Sequence, residues 1–181
     1  MTIKSILIYA SGKGSNLINL VDKQKNYIVV GCISDNKNPE FADFLKQKNI
    51  PLYIFSREEF KSVAEQKNAL FKKASELNPD IHVLAGFMKI VPAQFAASHK
   101  VINIHPSLLP KFPGLNTHQR AIDAGETEHG CTVHWVDAGI DTGTVIASEK
   151  VFIEPGETAA SLQGKVQIKE HILYPKILNS I

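Results

Sequence analysis

Asn103 and His105 stand two residues apart in the octapeptide Asn103-Ile104-His105-Pro106-Ser107-Leu108-Leu109-Pro110, directly after the apolar run Val101-Ile102. In an extended chain, positions two apart point the same way, so the two side chains project together from the tip of a predicted buried strand. Asn103 is a neutral amide able to donate to a developing oxyanion, and His105 has the side chain whose ordinary pKa lies nearest neutrality. Pro106 and Pro110 stiffen the exit. An oxyanion donor beside a proton-transfer group suits acyl transfer. A loop histidine held by backbone has the same appearance, and the spacing alone leaves both readings open.

A second chemical segment is Ser11-Gly12-Lys13-Gly14-Ser15-Asn16, between a predicted strand and helix. Glycines let backbone approach a ligand, and a helix N-terminus supplies free N–H groups and a positive dipole end, so a phosphate is the natural guest. A P-loop would need Ser or Thr after Gly-Lys and a further glycine upstream. A dinucleotide fingerprint would need a small residue where Leu17 stands, although Asp35 after the second strand imitates its ribose-binding acid. The plain alternative is a tight strand-to-helix turn capped by Ser15.

A third segment is Asp137-Ala138-Gly139-Ile140-Asp141-Thr142-Gly143. It lacks the calcium-loop spacing, and Asp141 alone reads as a turn aspartate. Paired with His105, it would fix the imidazole's tautomer and favour its charged form. The histidines His82, His99, His118, His129, His134 and His171 form no zinc pattern, so no metal is expected. His134 can face core or site, and core or surface is the default. Ser107 lacks the Gly-x-Ser-x-Gly elbow of a hydrolase nucleophile.

The elements that must position these residues alternate. Strands are predicted at Ile6 to Ala10, Tyr27 to Ile33, Pro51 to Phe55, Ile81 to Ala85 and the run ending at Asn103. Helices are predicted at Ser15 to Lys23, Pro39 to Lys48, Glu58 to Leu77 and residues 92 to 99. Such alternation argues for parallel β-α-β units with helices on both faces. Gly130 to Val136 and Thr144 to Ile153 then read as strands joined by a loop, an antiparallel edge. A last helix runs from about Thr158 into Ile172, with Pro175 near its end. The fold class is α/β, a doubly wound, Rossmann-like, mostly parallel sheet with an antiparallel C-terminal edge. Ligands of such sheets bind at the carboxyl ends of the strands, where the three segments are expected.

Composition bounds the partners. The 181 residues are read as one domain spanning 1–181, 44% hydrophobic and 21% charged. Twenty basic against 18 acidic residues leave a net charge of +2, no general attraction for nucleic acid or membrane surfaces. Cys32 and Cys131 lie apart in apolar runs, as free thiols of a reducing compartment would. With no signal-peptide pattern and no apolar stretch of bilayer length, a soluble cytoplasmic protein is expected.

Taken together, the residues resemble the folate-dependent formyltransferases, and within them the phosphoribosylglycinamide formyltransferase family. The resemblance is carried by Ser11-Gly12-x-Gly14-Ser15-Asn16-Leu17, by Leu84-Ala85-Gly86-Phe87-Met88-Lys89-Ile90, by the octapeptide and by Lys111-Phe112-Pro113-Gly114. Glu128-His129-Gly130, Val133-His134 and Gly139-Ile140-Asp141-Thr142-Gly143 carry the rest, and the match runs from residue 3 to about 176. The octapeptide is common to the whole superfamily; the Ser-Gly-x-Gly-Ser-Asn loop narrows it to a ribose-phosphate substrate.

The resemblance implies a catalytic trio of Asn103, His105 and Asp141, and a phosphate cradle of Gly14, Ser15 and Asn16. It implies a folate-lining segment of Met88, Lys89, Ile90 and Val91, with Arg57 approaching the folate across a loosely matching loop. Gln167 and Glu170, three apart on the terminal helix, match contacts to the glycinamide end. The implied reaction is direct attack of the amine of glycinamide ribonucleotide on the formyl carbon of 10-formyltetrahydrofolate, through a tetrahedral intermediate and without metal. Lys89 stands where relatives commonly have Arg, and Asn116 where they often have His. Relatives also continue past the position of Ile181, so a bare edge or a homodimer that covers it is expected. The alternatives are a formyltetrahydrofolate hydrolase and, from another class, a non-catalytic phosphate-sugar binding module. An NAD-dependent oxidoreductase would leave the octapeptide unexplained.

Overall fold

The computed structural model describes residues 3–181. Seven strands form one sheet: β1 (Lys4–Tyr9), β2 (Tyr27–Ser34), β3 (Leu52–Ile54), β4 (Ile81–Leu84), β5 (Val101–His105), β6 (Glu128–Trp135) and β7 (Val145–Phe152). Their order is β3-β2-β1-β4-β5-β6-β7. The pairs from β3 to β5 are parallel, and β5–β6 and β6–β7 are antiparallel. The chain winds outward from β1 in one direction and then from β4 in the other, which opens a crevice at the carboxyl ends of these two strands.

The helices are α1 (Ser15–Asp22), α2 (Ala42–Gln47), α3 (Val63–Leu77), α4 (Ala93–Ser98), α5 (Thr117–Asp123) and α6 (Ala159–Leu178). Alternate strand residues feed two cores. Ile6, Ile8, Val83, Ile102, Ile104 and Val133 pack with Leu17 and Leu20 of α1 and Leu162, Val166 and Tyr174 of α6. Leu7, Tyr9, Ile33 and Leu84 pack on the other face with Leu70, Phe71 and Ala74 of α3 and Phe95 of α4. This second core stops at β5, and of the chain beyond it holds only Val136, at its margin. No helix among the described residues is long and apolar enough to cross a membrane.

Several elements differ from the sequence expectation, and three of the differences have a local reason. α3 begins at Val63 rather than near Glu58, because Ser62 caps it: Ser62 Oγ accepts from the Glu65 N–H, and the Glu65 carboxylate accepts from the Lys61 N–H. Residues Arg57–Glu59 form a separate 3-10 turn. α6 runs past Pro175 to Leu178. Proline lacks the N–H that would reach the His171 carbonyl, and Asn19 Nδ2 on α1 donates to that carbonyl at 2.8 Å instead. α5, a short helix without sequence periodicity, was not expected; Asn116, with φ 57°, starts it.

Candidate active site

β5 extends to His105, so Asn103 and His105 both belong to the strand and face the side away from Ile102 and Ile104. His134 of β6 pairs with Asn103 across the antiparallel ladder and points the same way. α4 covers this face of β5 only as far as Val101, which shares a core with Phe95; around Asn103, His105 and His134 the cavity is lined chiefly by loop residues. Residues 106–112 are tied down by a polar network. Thr132 Oγ1 donates to the Ser107 carbonyl and accepts from the Leu109 N–H. Ser107 Oγ donates to the Lys111 carbonyl at 2.6 Å, so this buried hydroxyl holds the loop.

Asp141 reaches the site by a less direct route. β6 is antiparallel to β5, so its carboxyl end lies beside the start of β5, where the Val136 N–H donates to the Val101 carbonyl. The loop that follows therefore leaves from the opposite end of the sheet to β1 and β4, contrary to expectation. It folds back over the open face, and Asp141, with φ 55°, is brought to 3.3 Å from His105 Nδ1.

The trio is thus assembled from one strand, β5, and one returning loop, with His134 of the neighbouring strand beside it. His105 is 6% exposed, with Nδ1 toward Asp141 Oδ2 and Nε2 3.0 Å from the Phe112 carbonyl. One ring nitrogen is hydrogen-bonded to a backbone carbonyl and the other faces a carboxylate at ion-pair distance. Burial works to raise the Asp141 carboxyl. His134 (Nε2 at 3.6 Å), the Gly114 N–H at 2.9 Å and His105 outweigh it and hold the group below the usual aspartate value. His134 Nδ1 lies 2.9 Å from the Trp135 carbonyl, so in the neutral ring Nδ1–H donates there. In that neutral ring Nε2 accepts from Asn103 Nδ2–H at 3.2 Å, whereas in the charged ring Nε2–H is turned to Asp141 Oδ1 at 3.6 Å, the state in which His134 holds the carboxyl down. One amide hydrogen of Asn103 is spoken for, and the other is free for a ligand. The default placement of His134 in core or surface was therefore incorrect. Its register opposite Asn103 was the missing signal, invisible until the β5–β6 pairing is known.

Asn103, His105, His134 and Asp141 line a cavity of about 660 Å³. Another part of its wall is Met88, Lys89, Ile90 and Val91, following β4, and Leu115 and Ile140 line it too. Met88, Ile90, Leu115 and Ile140 are all more than half exposed; large apolar side chains gathered around one opening suit a flat, mostly apolar ligand. Lys89 is not free, for its Nζ lies 3.3 Å from Asp35 Oδ2. Arg57 sits in the 3-10 turn, bonded to the Phe60 carbonyl, and does not line the cavity. Among the described residues no group of three or more His, Cys, Asp or Glu could hold a metal ion.

The glycine loop and the terminal helix form a second cluster. Gly14, not Ser15, is the N-cap of α1, with φ 77°. A Cβ there would collide with the Phe41 ring, so glycine is required on both counts. Gln167 Nε2 donates to Ser15 Oγ at 2.8 Å, and Asn16 Nδ2 to Glu170 Oε2 at 2.8 Å. Burial pushes the Glu170 carboxyl up, against the pull of Asn16. Asn16 Oδ1 is buried with no partner among the described residues. Gly14, Ser15, Asn16, Gln167 and Glu170 are therefore gathered in one place, beside the cavity rather than in its lining.

An open-faced α/β sheet that sets an amide, an imidazole and a carboxylate around a partly apolar cavity has the architecture of an acyl-transfer enzyme, and the chain belongs to the formyl transferase family, whose pattern matches residues 4–178. The phosphoribosylglycinamide formyltransferase of Haemophilus influenzae is 36% identical over 182 residues, covering 97% of this chain and 86% of that one. The solved phosphoribosylglycinamide formyltransferase of Brucella melitensis superposes with a TM-score of 0.90 at 36% identity, over 99% of this chain and 95% of that one. Glycinamide ribonucleotide transformylase 1 of Geobacillus kaustophilus gives 0.91 at 34% identity, over 98% of both chains.

Proposed function

We propose that this chain is a one-carbon transferase of purine biosynthesis that moves the formyl group of 10-formyltetrahydrofolate onto the primary amine of glycinamide ribonucleotide. One observation carries the reading: Asn103, His105 and Asp141 meet, with His134 between amide and carboxylate, on the wall of a cavity that is otherwise largely apolar. The segment from Met88 to Val91 suits a pterin or aromatic body, and the Gly14–Asn16 loop suits a phosphate.

Bound in the cavity, the folate would supply an activated formyl carbon. The free N–H of Asn103 donates to the oxygen on which charge develops; one such pre-organised donor is worth about 3–4 kcal/mol in comparable acyl transfers. His105 adds a positive charge at short range. Its Nε2 is engaged by the Phe112 carbonyl at 3.0 Å, while Nδ1 has only the 3.3 Å ion contact with Asp141, so Nδ1 is the nitrogen a substrate oxygen can approach. Asp141 stabilises the imidazolium and accepts the proton that the attacking amine must shed, on its way to the leaving nitrogen. Glu170 and Gln167 fix the loop that holds the phosphate. The site works as one domain in the cytoplasm, on two small-molecule substrates.

The test follows folate absorbance in the presence and absence of glycinamide ribonucleotide. Turnover that requires the ribonucleotide and disappears in His105→Ala is the expected result. Turnover without it would make the chain a hydrolase, and none at all from folded protein would overturn the transferase reading.

A further inference from the structure

We infer that Gln163, on the first half of α6, is a specificity-determining residue that binds the amide linkage of the ribonucleotide substrate. The inference rests on the transferase reading and adds a residue to it. Gln163, Gln167 and Glu170 share one face of α6, because at 3.6 residues per turn they fall within about 60° of each other. Gln167 and Glu170 are occupied by Ser15 and Asn16 of the phosphate loop. Gln163 is not: its amide is exposed and has no hydrogen-bond partner among the described residues, and it lines the same cavity as Asn103, His105 and Asp141.

A single helix face thus runs from the phosphate loop to the reaction cavity, over a rise on the order of 10 Å for seven residues. A substrate anchored by its phosphate at one end and presenting its amine at the other must lay its middle along that face. The middle of glycinamide ribonucleotide contains one amide, between the ribose and the glycyl carbon. A primary carboxamide offers two donors and one acceptor oxygen, and so complements it. Two more side-chain amides line the cavity: Asn103, tied to His134, and Asn116, on the loop that starts α5 rather than on this face. A neutral bond made to an unreacting part of the substrate acts equally on ground and transition states, so its signature is in KM.

Steady-state kinetics of Gln163→Ala test this, with glycinamide ribonucleotide and with an analogue whose linking N–H is replaced by CH₂. Loss of one neutral hydrogen bond predicts a KM for the ribonucleotide raised about five- to tenfold, with kcat and the folate KM within about twofold of wild type. The wild-type enzyme should discriminate against the analogue by a similar factor, and the variant should have lost most of that discrimination. Gln163 is exposed, so the variant should keep the wild-type melting temperature. An unchanged ribonucleotide KM, a rise in the folate KM instead, or a variant that still discriminates would overturn the inference while leaving the transferase reading intact. A wild-type protein that does not formylate the ribonucleotide removes that reading, and this inference with it.

Discussion

Asp141 Oδ2 lies 3.3 Å from His105 Nδ1 and accepts the Gly114 N–H at 2.9 Å. The carboxylate thereby joins three segments that are remote in sequence: the end of β5, the loop before α5 and the loop after β6. Its position is set by the protein before any ligand arrives, as the role proposed for it, stabilising a transient imidazolium, would require.

Asp141→Asn isolates the charge. The left-handed backbone at residue 141 tolerates Asn about as well as Asp, so the loop geometry should survive. We expect kcat to fall by about 10² to 10⁴ with KM values little changed, and the same pattern in His105→Ala. Steady-state kinetics decide it; parallel losses in kcat and substrate binding would remove both residues from the chemistry.

His134 acts through Asn103. If its ring holds the amide in the donating orientation, His134→Ala should lower kcat, and the double variant Asn103→Ala/His134→Ala should be no slower than Asn103→Ala alone, itself about 10² to 10³ below wild type. Additive losses would mean that His134 works independently of the amide.

Asn19 satisfies the His171 carbonyl orphaned by Pro175. Asn19→Ala leaves that carbonyl without its partner and should destabilise the fold by about 1–3 kcal/mol in urea titration. In a Pro175→Ala background the residue-175 N–H returns to the carbonyl, and the same Asn19→Ala substitution should cost markedly less. An identical cost in both backgrounds would disprove the capping role.

Burial, with His99 beside it, lowers His82 from 6.5 to about 4. Its ring stays neutral in the fold while the unfolded chain gains a proton below pH 6.5. Stability is therefore full above about 6.5 and declines as pH falls toward 4, by up to about 3 kcal/mol from this group. His129, also lowered to about 4 by burial and by His118, adds in the same sense. His82→Phe removes one titration; it should cost stability at neutral pH, where the Tyr9 hydroxyl loses its 2.7 Å partner, but flatten the acid limb. Urea midpoints between pH 7.5 and 4.5 would show this, and an unflattened limb would assign the acid sensitivity elsewhere.

The alternation of apolar runs was enough to place every strand within a few residues, because buried parallel strands and amphipathic helices differ in hydrophobic period. Helix ends were harder, since they depend on caps. Ser62 stopped α3 from starting at Glu58, and a side chain on another helix let α6 pass Pro175. The neighbours Asn103 and His105 could be read from spacing two because strand geometry is local. The approach of Asp141 to His105 could not be, since an ordinary turn aspartate and one that reaches a remote histidine have the same local sequence, and only the resemblance to a family paired the two. His134 is open between core and site in the sequence; it is buried, and its register opposite Asn103 puts it on the cavity wall, which no spacing along one segment contains.

The side chains that join α1 to α6 connect residues 152 to 154 positions apart: Asn16 with Glu170, Gln167 with Ser15, and Asn19 with His171, with Asn179 meeting Asn26 nearby. By contrast, the cavity around the trio is built from the continuous span between Leu84 and Asp141, plus Gln163. Contacts between distant parts of a chain form late, since a long loop must close first. Most of the cavity wall can therefore assemble before the phosphate loop finds its helix. A phosphate monoester bound there as proposed would act as a clasp on these two segments, and by mass action its binding should suppress the fraying of α6 more than the opening of β5 and β6.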